Sequence, residues 1–297
     1  MTAFWTAADI PDQTGRSVVV TGANSGIGLA ATTQLANAGA HVVLAVRDTA
    51  RGERAAESVP GSTEVRRLDL ADLASVRQFA ADLDRPVDVL LNNAGVMATP
   101  FGRTVDGFER QIGTNHLGHF ALTNLLLARL TDRVVTMSSL MHKNGRVRAD
   151  DLSWEHRRYR RWGAYSQSKL ANLLFAAELQ RRLDSAGSSV RSLAAHPGYA
   201  ATNLQGHTGN PLVHAALWAG NALFAQSAEQ GALPIVYAAV SDLPGGAYVG
   251  PTSRNESRGA PGLAGRSAAA SDEDLARRLW EQSELLTGVR FGLSPSG

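Results

Sequence analysis

The chain has 297 residues, 44% of them hydrophobic and 19% charged, with a formal net charge of +2, a balance that permits a sizeable core and excludes polyanion binding through bulk charge. It contains no cysteine, which removes disulfide scaffolds, thiolate metal sites, cysteine nucleophiles and thiol redox switches, and is compatible with a reducing cytoplasmic setting. Residues 1–11 carry neither a basic stretch nor an apolar run, so no secretory signal is expected there, and the most apolar stretch, 211–225, is too short to span a bilayer.

In chain order, short β-branched or apolar runs at Ser17–Thr21, His41–Val46, 64–68, Val87–Asn92, 133–137 and 190–196 predict six strands. Apolar residues at helical spacing predict helices over 27–38, 73–83, 114–129 and 164–186, with Gly39 and Gly187 as stops after the first and last. Strand and helix alternate, so right-handed β-α-β crossovers and a doubly wound α/β fold follow, with a parallel sheet and helices on both faces. A last strand at 247–249 and a helix over 272–287 started by Ser271 complete the pattern, with 250–267 read as irregular. One domain over 1–297 is expected, its nucleotide part about 15–135 and its catalytic part about 136–297. Arg157, Arg158, Arg160 and Arg161 surround Tyr159 and Trp162 in a stretch read as a solvated loop flanking the substrate, and no nucleic-acid contact is expected.

Gly22-Ala23-Asn24-Ser25-Gly26-Ile27-Gly28 follows the first strand and opens the first helix. Glycines there permit a tight turn and bring backbone N–H groups to a pyrophosphate at the positive end of the helix. Asp69-Leu70 and Asn92-Asn93-Ala94-Gly95 end the third and fourth strands, at the edge where such sheets bind ligands.

Tyr165 and Lys169, four residues apart, project from one helix face. A phenol whose pKa is lowered by a nearby ammonium can give a proton to a carbonyl oxygen as hydride reaches the carbon. Ser139, at the end of the 133–137 strand, offers a hydroxyl to hold that oxygen, with Ser138 the competing choice. His116 and His119 are spaced i, i+3, but no third ligand keeps metal-site spacing with them, so no metal is expected.

The Gly-x-x-x-Gly-x-Gly spacing and the Asn-Asn-Ala-Gly run resemble the short-chain dehydrogenase/reductase family. Thr114-Asn115-His116-Leu117-Gly118-His119-Phe120 and His196-Pro197-Gly198 look most like its retinol-dehydrogenase-like reductases. The resemblance implies hydride transfer between a nicotinamide and a carbonyl or alcohol. Tyr165 would then act as acid or base, Ser139 as the orienting hydroxyl, Lys169 on the ribose and the phenol, and Asn115 on a water linking the lysine to solvent. It also implies that Asp69 and Leu70 contact the adenine, that Asn93 braces the central strands with Ala94 beside it, and that Gly95 lies against the cofactor. Pro197, Gly198 and Thr202 would close the site. The family often pairs the 114–129 and 164–186 helices in a homo-oligomer. A catalytically inactive nucleotide-binding scaffold is the alternative, but it has no need of the tyrosine–lysine pair.

By the family's spacing from Gly39, Val46 takes the position where a carboxylate selects NAD, and Arg47 follows, placed to pair with a 2′-phosphate with support from Asn24 or Ser25. NADP(H) is therefore the expected cofactor, with Asp48 facing solvent or capping the next helix. Changing Val46→Asp together with Arg47→Ala should invert the preference. A lid over residues 200–225, carrying Leu204, Leu212, Val213, Leu217 and Trp218, implies an apolar substrate.

Overall fold

The computed structural model describes residues 4–199, 227–253 and 255–293. The strands are β1 Ser17–Thr21, β2 His41–Val46, β3 Thr63–Arg67, β4 Val87–Asn92, β5 Leu130–Met137, β6 Arg191–Ala195, β7 Tyr248–Pro251 and β8 Pro261–Leu263. They form one sheet in the order β3-β2-β1-β4-β5-β6-β7-β8. Every neighbouring pair is parallel except β7 with β8. The 250–267 stretch, expected to be irregular, thus supplies the end of β7 and an antiparallel edge strand. A three-residue strand with two glycine or proline positions gives no period-two signal, and only its partner reveals it.

The helices are α1 Gly26–Asn37, α2 Thr49–Ala56, α3 Leu73–Asp82, α4 Arg110–Ile112, α5 Gly118–Leu126, α6 Arg161–Ser185, α7 Ala228–Val240 and α8 Glu273–Thr287. Period-two alternation sends Val18, Val20, Val42 and Leu44 to one face of the sheet, where α1 and α7 cover them. Val19, Val43, Leu90 and Val134 go to the other face, under Phe79 of α3, Phe120 of α5, Phe175 of α6 and Trp280 of α8. The doubly wound arrangement is as expected.

Several ends differ from the sequence reading for local reasons. The 114–129 helix is not uniform: α4 runs into a π-helical turn at Gly113–Leu117, then α5, then a 3-10 turn at Leu127–Arg129. Helix α6 begins a turn earlier than expected, so Arg161 and Trp162 are helical rather than in a loop. Arg157 is no free cation either, because it pairs with Asp151 at 3.0 Å and lies over the Trp154 ring at 3.8 Å. The cap of α8 is Asp272, whose carboxylate accepts from the Leu275 amide, not Ser271. Gly39 and Gly187 do end α1 and α6 with positive φ, +99° and +65°. The expected lid at 200–225 and Thr202 lie outside the described residues.

Candidate active site

Because β1 to β7 are parallel, the residues that follow them share one edge of the sheet, and β1 marks the point where the order reverses toward β2 on one side and β4 on the other. Gly22 follows β1, Arg47 β2, Asp69 β3, Asn93 β4, Ser139 β5 and Pro197 β6. The sequence placed each of them separately, and the topology brings them together.

The glycine loop is shaped by close approach. Gly22 and Gly26 hold φ of +67° and +55°, a region costly for other residues. A Cβ on Gly28 would stand 2.3 Å from the Gly22 carbonyl oxygen and 2.6 Å from Asn93 Nδ2, so only glycine lets α1 begin this near β4. Ser25 is the N-cap of α1 yet makes no side-chain capping bond, so the first-turn amides remain directed at a ligand. This bare helix start, ringed by glycines, fits a dinucleotide pyrophosphate. Asn24 and Ser25 are half-buried beside it, whereas the side chain of Ile27 lies in the core and only its backbone can serve the loop.

Asn93 braces the central strands as expected, its Nδ2 donating to Thr21 O at 2.9 Å, while the Asn93 and Ala94 amides both donate to Thr21 Oγ1 at 2.9 Å. Asp69 accepts from the Ala71 amide at 3.0 Å, and Leu70 is buried against α5. Arg47 is exposed at the end of β2, and Asp48 caps α2 by accepting from the Arg51 amide at 3.0 Å. Val46 is 1% exposed and packs where a Cβ on Gly52 would touch it. An aspartate there would bury its charge, so the double substitution expected to invert cofactor preference is not a clean exchange.

Around Tyr165 the helix and strand ends interlock. Ser138 Oγ donates to the Lys169 carbonyl at 2.8 Å and is buried, whereas Ser139 stays partly open and is the hydroxyl that interacts with Tyr165. The choice between the two serines thus falls on Ser139. Lys169 Nζ donates to Met137 O at 3.2 Å and lies 5.8 Å from the Tyr165 ring centroid. Asn172 Nδ2 donates to the same carbonyl at 3.0 Å. Asn115, on the π-turn, grips both backbone groups of Val96: Oδ1 accepts from its amide at 2.8 Å and Nδ2 donates to its carbonyl at 2.9 Å. Nδ2 also reaches Ser168 Oγ at 2.9 Å. Gly95 sits between these groups, since a Cβ there would be 3.1 Å from Asn115 Oδ1 and 3.6 Å from Lys169 Nζ. Gly198 holds φ of +68° with its amide donating to His196 Nδ1 at 3.2 Å, and Pro197 precedes it at the end of the same turn.

Burial sets the acid–base character. It pushes the Tyr165 phenol up to about 12, opposed only by the Ser139 hydrogen bond, so the sequence expectation of a lysine-lowered phenol does not hold in this structure. Burial also brings Lys169 down to about 8. His116 and His119 are lowered to about 3 and about 4 chiefly by burial; His116 meets Ser283 through Nε2, and both His119 nitrogens are taken, by Thr21 and Asn115. Thr21 and Asn172, and the contact of His119 with Thr21, had no signal in spacing alone, because these partners lie far off in sequence. Trp162 is 53% exposed, one turn before Tyr165, with its ring edge-on to the tyrosine at 6.2 Å.

The short chain dehydrogenase family model matches residues 16–211. The chain is 42% identical to human retinol dehydrogenase 13, over 93% of this chain and 85% of that one. It is 43% identical to Mus musculus polyprenol dehydrogenase, over 95% and 87%. A solved structure from Mycobacterium Paratuberculosis is 54% identical and superposes with a TM-score of 0.86, covering 98% of this chain and all of that one. The chain therefore belongs to the short-chain dehydrogenase/reductase family, in its retinol-dehydrogenase-like subgroup, and is a nicotinamide-dependent oxidoreductase of alcohols and carbonyls.

Proposed function

We propose that the protein reduces an apolar aldehyde or ketone, and oxidises the corresponding alcohol, with NADP(H). The observation that carries the apolar substrate is Trp162, which is about half exposed beside Tyr165; an indole at that place favours a flat or branched hydrocarbon over a charged keto acid. Relatives named for retinol and polyprenol, both long apolar alcohols, support the same class. Arg47, exposed where the ribose of a dinucleotide would lie, supports the 2′-phosphate, and Asp48 directs one carboxylate oxygen to the Arg51 amide at the start of α2.

The glycine loop Gly22–Gly28 and the start of α1 would hold a nicotinamide dinucleotide, which would supply or accept the hydride when bound. Tyr165 holds the proton that the carbonyl oxygen must receive. A phenol near 12 keeps that proton at neutral pH, so the acid is ready for reduction, while alcohol oxidation needs the phenolate and gains rate as pH rises. Ser139 fixes the substrate oxygen against the phenol. Lys169, charged below about 8, supplies the positive charge that steadies the ribose and a developing phenolate. Asn115 holds the Gly95–Val96 backbone in place between them.

The test is NADPH and NADH oxidation by wild type and Tyr165→Phe against a panel running from retinal-sized and aromatic carbonyls to small keto acids. Apolar carbonyls are expected to turn over with NADPH, and the phenylalanine variant to lose roughly 10²- to 10⁴-fold in kcat while still binding cofactor. Turnover confined to keto acids overturns the substrate class, and near-normal kcat in the variant overturns the role of Tyr165.

A further inference from the structure

His119 is the second residue of α5, buried at 1% exposure, and both of its ring nitrogens are engaged. Nδ1 lies 3.0 Å from the carbonyl oxygen of Asn115, one turn back, and Nε2 lies 2.9 Å from Thr21 Oγ1 at the end of β1. The two ends decide where the ring proton sits. A backbone carbonyl only accepts, so Nδ1 must donate. At the other end, Thr21 Oγ1 already accepts from the Asn93 and Ala94 amides at 2.9 Å, which uses both of its lone pairs. Its single hydrogen must point outward, and the His119 nitrogen at 2.9 Å is a nearer acceptor than Leu91 O at 3.3 Å. Nε2 is therefore the bare nitrogen, and both ends require the same tautomer. Burial, together with the Lys169 charge, lowers the ring to about 4, so it stays in this form at neutral pH.

The residues joined in this way clamp one loop from both sides. Thr21 holds the amides of Asn93 and Ala94, and the Asn115 side chain holds the amide and carbonyl of Val96, two residues further on. Gly95, between them, faces Lys169 Nζ. We infer that His119, protonated on Nδ1, is a positioning residue that couples the Thr21 clamp to the Asn115 clamp and so fixes the Asn93–Val96 backbone against cofactor and lysine together, which rests on the cofactor reading of that loop proposed above. Among the described residues it is the only side chain in this series of hydrogen bonds that reaches both clamps.

The asparagine and glutamine variants separate its two ends. In His119→Asn the amide nitrogen takes the Nδ1 place and can still donate to Asn115 O; in His119→Gln the amide reaches the Nε2 place and can accept from Thr21. Cofactor binding is read by fluorescence titration with NADPH alone, which needs no substrate, so a wrong substrate class leaves this test intact; kcat is read with any carbonyl that turns over. His119→Ala is expected to weaken NADPH binding and kcat by about tenfold or more each. His119→Asn should recover most of kcat but not cofactor affinity, and His119→Gln the reverse. Alanine variant values equal to wild type overturn the inference. So do asparagine and glutamine variants that lose both quantities in the proportion seen with alanine, which is what a purely structural histidine gives. Should the alanine variant fail to fold, ¹⁵N-histidine NMR of the wild type decides: an Nδ1–H pattern from about pH 5 to about pH 8 is expected, and an Nε2–H pattern overturns the assignment.

Discussion

Lys169 is fully enclosed, and its folded-state pKa of about 8 lies below the usual 10.5 because burial penalises the ammonium. The unfolded chain therefore binds this proton more tightly between those values. The penalty on folding is full below about pH 8 and relaxes as pH rises toward 10.5. Lys169→Met removes it, so the variant should be more stable at pH 7 by about 1–3 kcal/mol while losing activity, with the gain shrinking in alkali. Thermal melts across pH check this; a methionine variant less stable than wild type at pH 7 contradicts it. Arg47 differs in kind. It is exposed at a strand end and supports no core packing, so Arg47→Ala should leave stability unchanged. NADPH should bind about 10- to 150-fold more weakly and NADH nearly as before, the loss of a charged hydrogen bond worth about 1.5–3 kcal/mol. Paired titrations with the two cofactors measure it, and undiminished NADPH affinity removes the strand end from phosphate recognition.

The stretch from α4 through the π-turn to α5 does more than a uniform helix does. Its wider turn at Gly113–Leu117 carries Asn115 to the Val96 backbone and His116 to Ser283 on α8. Gly118 lets the next turn close on the loop after β3: a Cβ there would meet Leu70 O at 2.4 Å and Leu70 Cβ at 3.0 Å. That neighbour is backbone and cannot swing aside. Gly118→Ala should therefore shift α5 away from Leu70, lowering stability by about 1–3 kcal/mol and weakening cofactor binding at the adenine end more than it changes kcat. Denaturant melts with cofactor titration test this, and a fully stable variant with wild-type affinity means the turn relaxes freely. The hairpin of β7 and β8 works similarly on the far side. Ser257 O stands 2.4 Å from where a Cβ on Gly198 would lie, and the Tyr199 amide donates to the same oxygen at 2.9 Å.

Across the molecule, four buried histidines, His116, His119, His142 and His196, are lowered chiefly by burial and share one electrostatic consequence, and three of them carry it furthest. His116, His119 and His196 are lowered from 6.5 to about 3, about 4 and about 4, chiefly by burial. Each takes up a proton more readily in the unfolded chain, so stability is complete above about pH 6.5 and falls as pH drops toward the folded values. By pH 5 each contributes a loss of about 1–2 kcal/mol. Melting temperature should thus decline steeply between pH 7 and pH 5, and His196→Gln should flatten part of that slope. A melting temperature independent of pH across this range contradicts the neutral, buried state of all three.

What the residues alone determined are features governed by neighbours a few positions away. Strand alternation, helical spacing and the Gly39 and Gly187 stops led to the doubly wound sheet; the glycine run, Asn93 and the four-residue step from Tyr165 to Lys169 led to the family and the reaction, because these are local periodicities and turn requirements. Tertiary structure decided what depends on partners far along the chain. Ser139 rather than Ser138 is free because Ser138 is drawn to the Lys169 carbonyl across 31 positions. Thr21 gathers the Asn93 and Ala94 amides from 72 and 73 positions away and meets His119 98 positions on. The strand β8 exists only through its pairing with β7. Tyr165, expected to carry a lowered phenol beside its lysine, carries a raised one, because proximity in sequence sets which groups can meet, whereas the loss of water around them on folding sets the energy of their charges.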